Sequence, residues 1–163
     1  MDWLDQLHVI MGTAIAMVLG GMVGFERELK NRPAGFRTHM LVAGAAALLV
    51  GIGLMTLHNP AVVSVLQPEQ LRMDPLRLVE SVIAGVAFIG AGTIFASRSS
   101  KAIVGITTAA SLLMVAVIGI ATGLQYYVLA ISATVLTLVV LTVLKWMERR
   151  FRAHKPDAEA EAQ

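Results

Sequence analysis

Three groups of polar residues interrupt this apolar chain, and each has a spacing that could do chemistry. Glu26-Arg27-Glu28 leads into Arg32-Pro33-Ala34-Gly35-Phe36-Arg37-Thr38-His39, between two long apolar stretches. The octapeptide reads as a compact, cationic, hydrogen-bond-rich hinge, across which Glu26 could pair with Arg37 or His39. Cations there suit chain orientation and lipid headgroups. The acidic residues among them need another reason, either a structural salt-bridge cluster or a binding surface. Asp74, Arg77 and Glu80 are three apart, which on a helix places them along one flank, so Arg77 can pair with either carboxylate. That ladder could be a gating ion pair or a cation-sensitive site. Equally, Asp74 could cap a helix while Arg77 snorkels outward and Glu80 pairs with it. Thr107 and Thr108, with Ser111 following, put hydroxyls in an apolar stretch. There they bond to the preceding turn or another helix, or else line a small polar cavity.

Other chemistry is not visible. Cysteine is absent, which excludes disulfides, thiol catalysis and Cys-based metal sites. His8, His39, His58 and His154 have no metal-ligand spacing, although polar neighbours set His39 apart. The nine methionines are scattered and read as packing. No acidic cluster lies mid-span, and there is no nucleophile–base pair, phosphate loop or dinucleotide fingerprint. The expectation is therefore no catalytic residue, no metal, no cofactor and no enzyme.

The elements that must hold these residues are membrane helices. The 163 residues are 56% hydrophobic and only 15% charged, with mean hydropathy +0.73. Soluble domains are nearer a quarter charged. Five stretches are long enough to span a bilayer, at about residues 7–25, 38–57, 78–97, 102–121 and 126–144. Each is expected to be a helix, because an open strand edge cannot be satisfied in lipid. Residues 26–37 read as a polar loop, 58–77 as the longest connection, and 98–101 and 122–125 as tight hairpins. Within the long connection, Asn59-Pro60 resembles a cap followed by proline at the first helical position, so residues 61–66 could form a short interfacial helix. Asp74-Pro75 repeats that signature ahead of the third span. The reading is thus all-α: a five-helix transmembrane domain over 1–144, and a short tail over 145–163, basic then acidic, expected to be disordered.

Eleven of the thirteen Lys and Arg residues fall on one side of this arrangement, and only Arg72 and Arg77 on the other. Cytoplasmic loops carry the excess of Lys and Arg, so the N-terminus is expected outside and the C-terminus in the cytoplasm. Basic residues flanking apolar segments also argue against nucleic acid as a partner, despite a pI near 9.3. The acidic start, Met1-Asp2-Trp3-Leu4-Asp5, is unlike a signal peptide, so the first span reads as retained. No lipidation motif is present.

Small residues recur at helical spacing: Gly20 and Gly24; Ala43, Ala47 and Gly51; Gly119 and Gly123; and, less regularly, Gly85, Gly90 and Gly92. Such rows let helix backbones approach closely. They serve packing within one subunit or form the face of a homodimer.

Three blocks resemble the MgtC/SapB family of bacterial inner-membrane proteins. They are Gly20-Gly21-Met22-Val23-Gly24-Phe25-Glu26-Arg27-Glu28 running into the octapeptide and Met40-Leu41-Val42; Asp74-Pro75-Leu76-Arg77 with Gly85-Val86-Ala87-Phe88-Ile89-Gly90-Ala91-Gly92-Thr93-Ile94; and Gly105-Ile106-Thr107-Thr108-Ala109-Ala110 with Gly119 nearby. Phe36 stands where the family pattern has Leu, and no Trp follows the Thr-Thr-Ala-Ala block. Virulence members carry a C-terminal soluble domain, which the residues after 144 are too few to form. The resemblance implies a multi-pass protein of the bacterial inner membrane, linked to low-Mg²⁺ adaptation and virulence. It implies action by binding a membrane protein, with ATP synthase the partner associated with the family. The ladder, the hydroxyls and the glycine-rich third span leave a second reading: a small oligomeric transporter or channel for a cation or other small solute.

Overall fold

A computed structural model describes residues 3–57, 59–64, 75–95 and 104–152. Six helices account for nearly all of them: α1 (Trp3–Leu29), α2 (Phe36–Leu57), the short α3 (Pro60–Val63), α4 (Pro75–Phe95), α5 (Ile106–Gly123) and α6 (Tyr127–Arg152). No strand occurs among the described residues. Four stretches are long and apolar enough to cross a membrane: Trp3–Leu29, Phe36–Leu57, Leu76–Ile94 and Ile106–Gly123. The expected fifth span corresponds to α6, whose apolar part, Tyr127–Val143, is shorter. The expected hairpin at 98–101, and Asp74, lie outside the described residues.

Helix boundaries differ from the expected spans where local chemistry sets them. The 27 residues of α1 reach about 40 Å at 1.5 Å per residue, beyond a hydrocarbon core of about 30 Å. Glu26, Arg27 and Glu28 therefore belong to the last helical turn and not to a loop. Closure follows at once: Asn31, at φ 50°, takes the left-handed position, Arg32 N donates to Arg27 O (3.1 Å) and Asn31 N donates to Glu28 O (2.9 Å). This paired motif satisfies the last carbonyls of a helix. Arg37, Thr38 and His39 in turn sit in the first turn of α2. The α5–α6 turn repeats the device. Gln125 has φ 65°, with Tyr126 N on Ala121 O (2.8 Å) and Gln125 N on Thr122 O (2.9 Å). At its other end α5 begins at Ile106, later than expected. Gly105, at φ 104°, precedes it in a left-handed conformation, and a Cβ there would lie 2.9 Å from Thr93 O.

Packing reverses the size order of a soluble protein. Bulky side chains point outward, such as Phe88 (83% exposed) and Val128 (81%). The buried positions favour Ala, Gly and Val, because lipid is as apolar as leucine and only close backbone approach rewards association. Helix α5 is central. On one side Val115, Ile118 and Ala121 meet α1 (Ala16, Leu19, Val23), α2 (Ala43, Ala47) and Ala130 of α6. On the other, Leu112, Ala116 and Ile120 meet Ala46 and Val50 of α2, Val82 and Val86 of α4, and Ala34 of the first turn. Over its membrane-length stretch α5 is 56% buried, whereas α4 is only 17% buried.

Glycines allow these approaches selectively. A Cβ at Gly20 would fall 2.7 Å from His39 O, one at Gly24 2.8 Å from Phe36 Cα, and one at Gly119 onto the Ala43 carbonyl. Gly90 sits against Ala109, with 3.3 Å to its Cβ. Gly85 and Gly92, expected to pack, have nothing within 4 Å. They lie on the side of α4 turned away from α5, so their small size serves no contact among the described residues.

Candidate functional site at the α1–α2 turn

The structure gathers one set of the expected residues into a buried polar cluster, bounded by the end of α1, the start of α2 and the first two turns of α5. Arg27 is 4% exposed and His39 fully buried, beside Thr108 (1%) and Ser111 (3%). The Arg27 guanidinium donates through Nη2 to Thr108 Oγ1 at 3.1 Å. His39 bonds from Nδ1 to Gly35 O at 2.9 Å and from Nε2 to Ser111 Oγ at 3.0 Å. Thr108 and Ser111 share a face of α5 because they are three apart. One helix face thus receives a side chain from α1 and another from α2.

Hydrogen-bond roles follow from the donors present. Gly35 O can only accept, so Nδ1 of His39 carries a proton. The Ser111 hydroxyl has one proton and two acceptors in reach, His39 Nε2 and, at 2.8 Å, Thr108 O. With neutral His39 the proton goes to Nε2. With His39 doubly protonated, Nε2 becomes the donor and Ser111 turns to Thr108 O. The cluster therefore has two proton arrangements on one set of heavy-atom positions.

The charged residues around it are arranged differently from the sequence expectation. Glu26 pairs with Lys30, one turn along the same helix, and not with Arg37 or His39. Continuation of α1 through Leu29 puts those two side chains on one face, while His39 turns to α5. Lys30 Nζ also donates to Leu141 O of α6 at 2.8 Å. Glu28 Oε2 accepts from Phe36 N at 2.8 Å, closing the first turn of α2. Arg37 is exposed, Thr38 half-buried and Thr107 exposed, so none of the three joins the cluster. Arg27 has no carboxylate within 4 Å among the described residues, and its Nε, like Glu26 Oε2, is buried without a hydrogen-bond partner. An unmet buried donor or acceptor costs about 1–3 kcal/mol.

Of the second expected constellation, Asp74 lies outside the described residues, and the remaining two members do not pair with each other. Arg77 and Glu80 are both exposed and lie farther apart than an ion pair, because a three-residue offset leaves both free to point outward from a sparsely buried helix. Among the described residues, no three of His, Asp and Glu converge as a metal site. Sequence reasoning missed Lys30, whose offset of four from Glu26 was the available signal, and the capping role of Glu28. It also missed a cavity of about 590 Å³ at the opposite end of the helices, lined in part by Asp5, His8, Gln125 and Tyr127.

Comparison with known proteins places this geometry. Residues 13–150 match the MgtC family. Over 151 residues the chain is 33% identical to Protein SapB of Bacillus subtilis, covering 92% of this chain and 62% of that protein. It is 37% identical over 134 residues to the Escherichia coli K12 protein named "Putative magnesium transporter YhiD", covering 82% and 59%. It is 32% identical over 152 residues to Protein MgtC of Salmonella paratyphi A, covering 93% and 59%. The chain thus spans about three-fifths of the length of these relatives. No solved structure matches it. The family match begins inside α1, ends inside α6 and encloses every member of the buried cluster, and on that match the chain belongs to the MgtC family.

Proposed function

We propose that this chain is a regulatory protein of the bacterial inner membrane, linked to adaptation to low magnesium and to virulence, that acts without catalysis by binding another membrane protein. ATP synthase is the candidate target suggested by the family. In this reading α6 is the fifth span, the N-terminus lies outside, and the basic ends of α1 and α6 face the cytoplasm. The observation that carries the proposal is the outer side of α4. Among the described residues nothing meets Gly85 or Gly92 there, Phe88 is 83% exposed, and Arg77 and Glu80 do not pair with each other. Small residues with a projecting aromatic and two charges near the membrane edge suit the packing of a second helix. The buried cluster then fixes the frame from which α4 projects.

The test is mild-detergent purification of the tagged chain from cells grown in low Mg²⁺, with co-eluting proteins identified by mass spectrometry. A near-stoichiometric membrane complex is expected, lost in Gly85→Leu and Gly92→Leu but kept in Thr107→Ala. Recovery of the chain alone, as a monomer, refutes the reading. Recovery as a homodimer assigns the α4 face to a second copy instead.

A second reading, a small oligomeric transporter for a cation or other solute, is favoured by the name of the Escherichia coli relative. Solute flux into proteoliposomes holding only this protein would establish it. Equal flux with and without the protein would remove it.

A further inference from the structure

The cavity at the end opposite the buried cluster is built from residues that the partner-binding reading does not use. Asp5, His8 and Gly12 fall on one face of α1, at offsets of three and seven, and all three line it. Gly12 forms the floor. A Cβ there would sit 3.7 Å from Thr122 O and 4.0 Å from Tyr127 Oη, which places a carbonyl and a phenol across from it. Thr122 belongs to the last turn of α5, the end of a helix that carries partial negative charge. Its carbonyl accepts Gln125 N at 2.9 Å and retains a second lone pair. Among the described residues no Lys or Arg lines the cavity, so carboxylate, helix end and hydroxyl together make it cation-attracting.

The lining also selects among cations. Calcium takes about six to eight oxygen ligands, and magnesium keeps several waters beside one or two carboxylates in an octahedral shell. Among the described residues Asp5 is the one carboxylate of the lining, and no three-residue metal cluster occurs. Val9, Leu54 and Met55 supply apolar wall. The acceptors lie at two depths: Asp5 at the rim and Thr122 with Tyr127 at the floor, separated by the seven-residue rise of α1, about 10 Å. A volume of about 590 Å³ is in the range of small-molecule sites, about 300–1,000 Å³.

We propose that this cavity binds a linear α,ω-diamine whose two ammonium groups stand about 10 Å apart, one ammonium at Asp5, the other at Thr122 O and Tyr127 Oη, and the methylenes against Val9, Leu54 and Met55. The full chain in phosphatidylcholine nanodiscs, titrated with 1,8-diaminooctane by calorimetry, tests it. The expected result is saturable one-to-one binding, weakened at least tenfold in Asp5→Asn and abolished in Gly12→Leu, which fills the floor. Asp5 is exposed, so Asp5→Asn decides the matter even where Gly12→Leu fails to fold. Absence of saturable binding, unchanged affinity in Asp5→Asn, equal affinity for uncharged 1,8-octanediol, or displacement by equimolar Mg²⁺ would each overturn the assignment.

Discussion

Gly119 and Gly85 offer the same substitution with opposite expected signs. Both are helix-interior glycines, so alanine gains about 0.5–1 kcal/mol of helix propensity at either site. At Gly119 the new methyl would land on the Ala43 carbonyl and 2.9 Å from Ala46 Cβ. Backbone cannot rotate out of the way as a long side chain can, so α5 and α2 must separate. Overpacking of this kind costs about 1–3 kcal/mol, and lost contact along the α2–α5 seam adds to it. The net expectation for Gly119→Ala is destabilisation of about 1–2 kcal/mol. At Gly85 nothing lies within 4 Å, so Gly85→Ala gains the propensity alone and stabilises by up to about 1 kcal/mol. Unfolding titrations in mixed micelles, run on both variants and the parent, read the difference directly. Equal destabilisation of the two variants would refute the helix arrangement, since it would require α4 to be packed at Gly85 as tightly as α5 is at Gly119.

Further expectations concern the polar cluster and the turns. Thr108→Val leaves the Arg27 Nη2 donor buried and unmet and costs about 1–3 kcal/mol, whereas Arg27→Met with Thr108→Val recovers most of that loss. A double-mutant cycle with no coupling would sink the Arg27–Thr108 contact. Lys30→Met removes the partner of Glu26 and the tie to Leu141 O, and hydrogen exchange should quicken on the α6 side of that contact. Unchanged exchange there would mean the tie does not hold α6. Gln125→Gly relieves a left-handed non-glycine residue and should stabilise by up to about 1 kcal/mol. Asn31→Ile should destabilise by about 1–2 kcal/mol for the converse reason, and a neutral effect would show that the turn adopts another conformation.

Much of the fold was legible because lipid imposes simple rules. Apolar length located α1, α2, α4 and α5, and the rows at Gly20 and Gly119 marked real close approaches. Boundaries were less legible. Charge suggested a loop at Glu26, but a helix longer than the hydrocarbon core carries charged residues in its protruding turn. Gly105 delayed α5 through backbone conformation, which composition does not register. Site residues divided by distance. Arg27, His39 and Thr108 were singled out as polar residues near the membrane, yet which ones meet depends on α5 packing against both α1 and α2, and no local pattern encodes that contact. Gly85 and Gly92 show the converse limit: small-residue spacing signals a capacity for close packing without naming the partner.

The cluster also has a temporal meaning. Thr108 lies 81 residues downstream of Arg27, and Ser111 lies 72 downstream of His39. At about 5–20 residues per second, α1 and α2 are complete ~3–11 s before their polar partners are made. During that interval a closed two-helix hairpin holds an arginine and a histidine that only α5 can satisfy. Docking of α5 across both helices is thus the step that commits the chain to its folded form. A chain that fails at this step would present a buried-type arginine to the membrane, a feature that quality-control proteases can read.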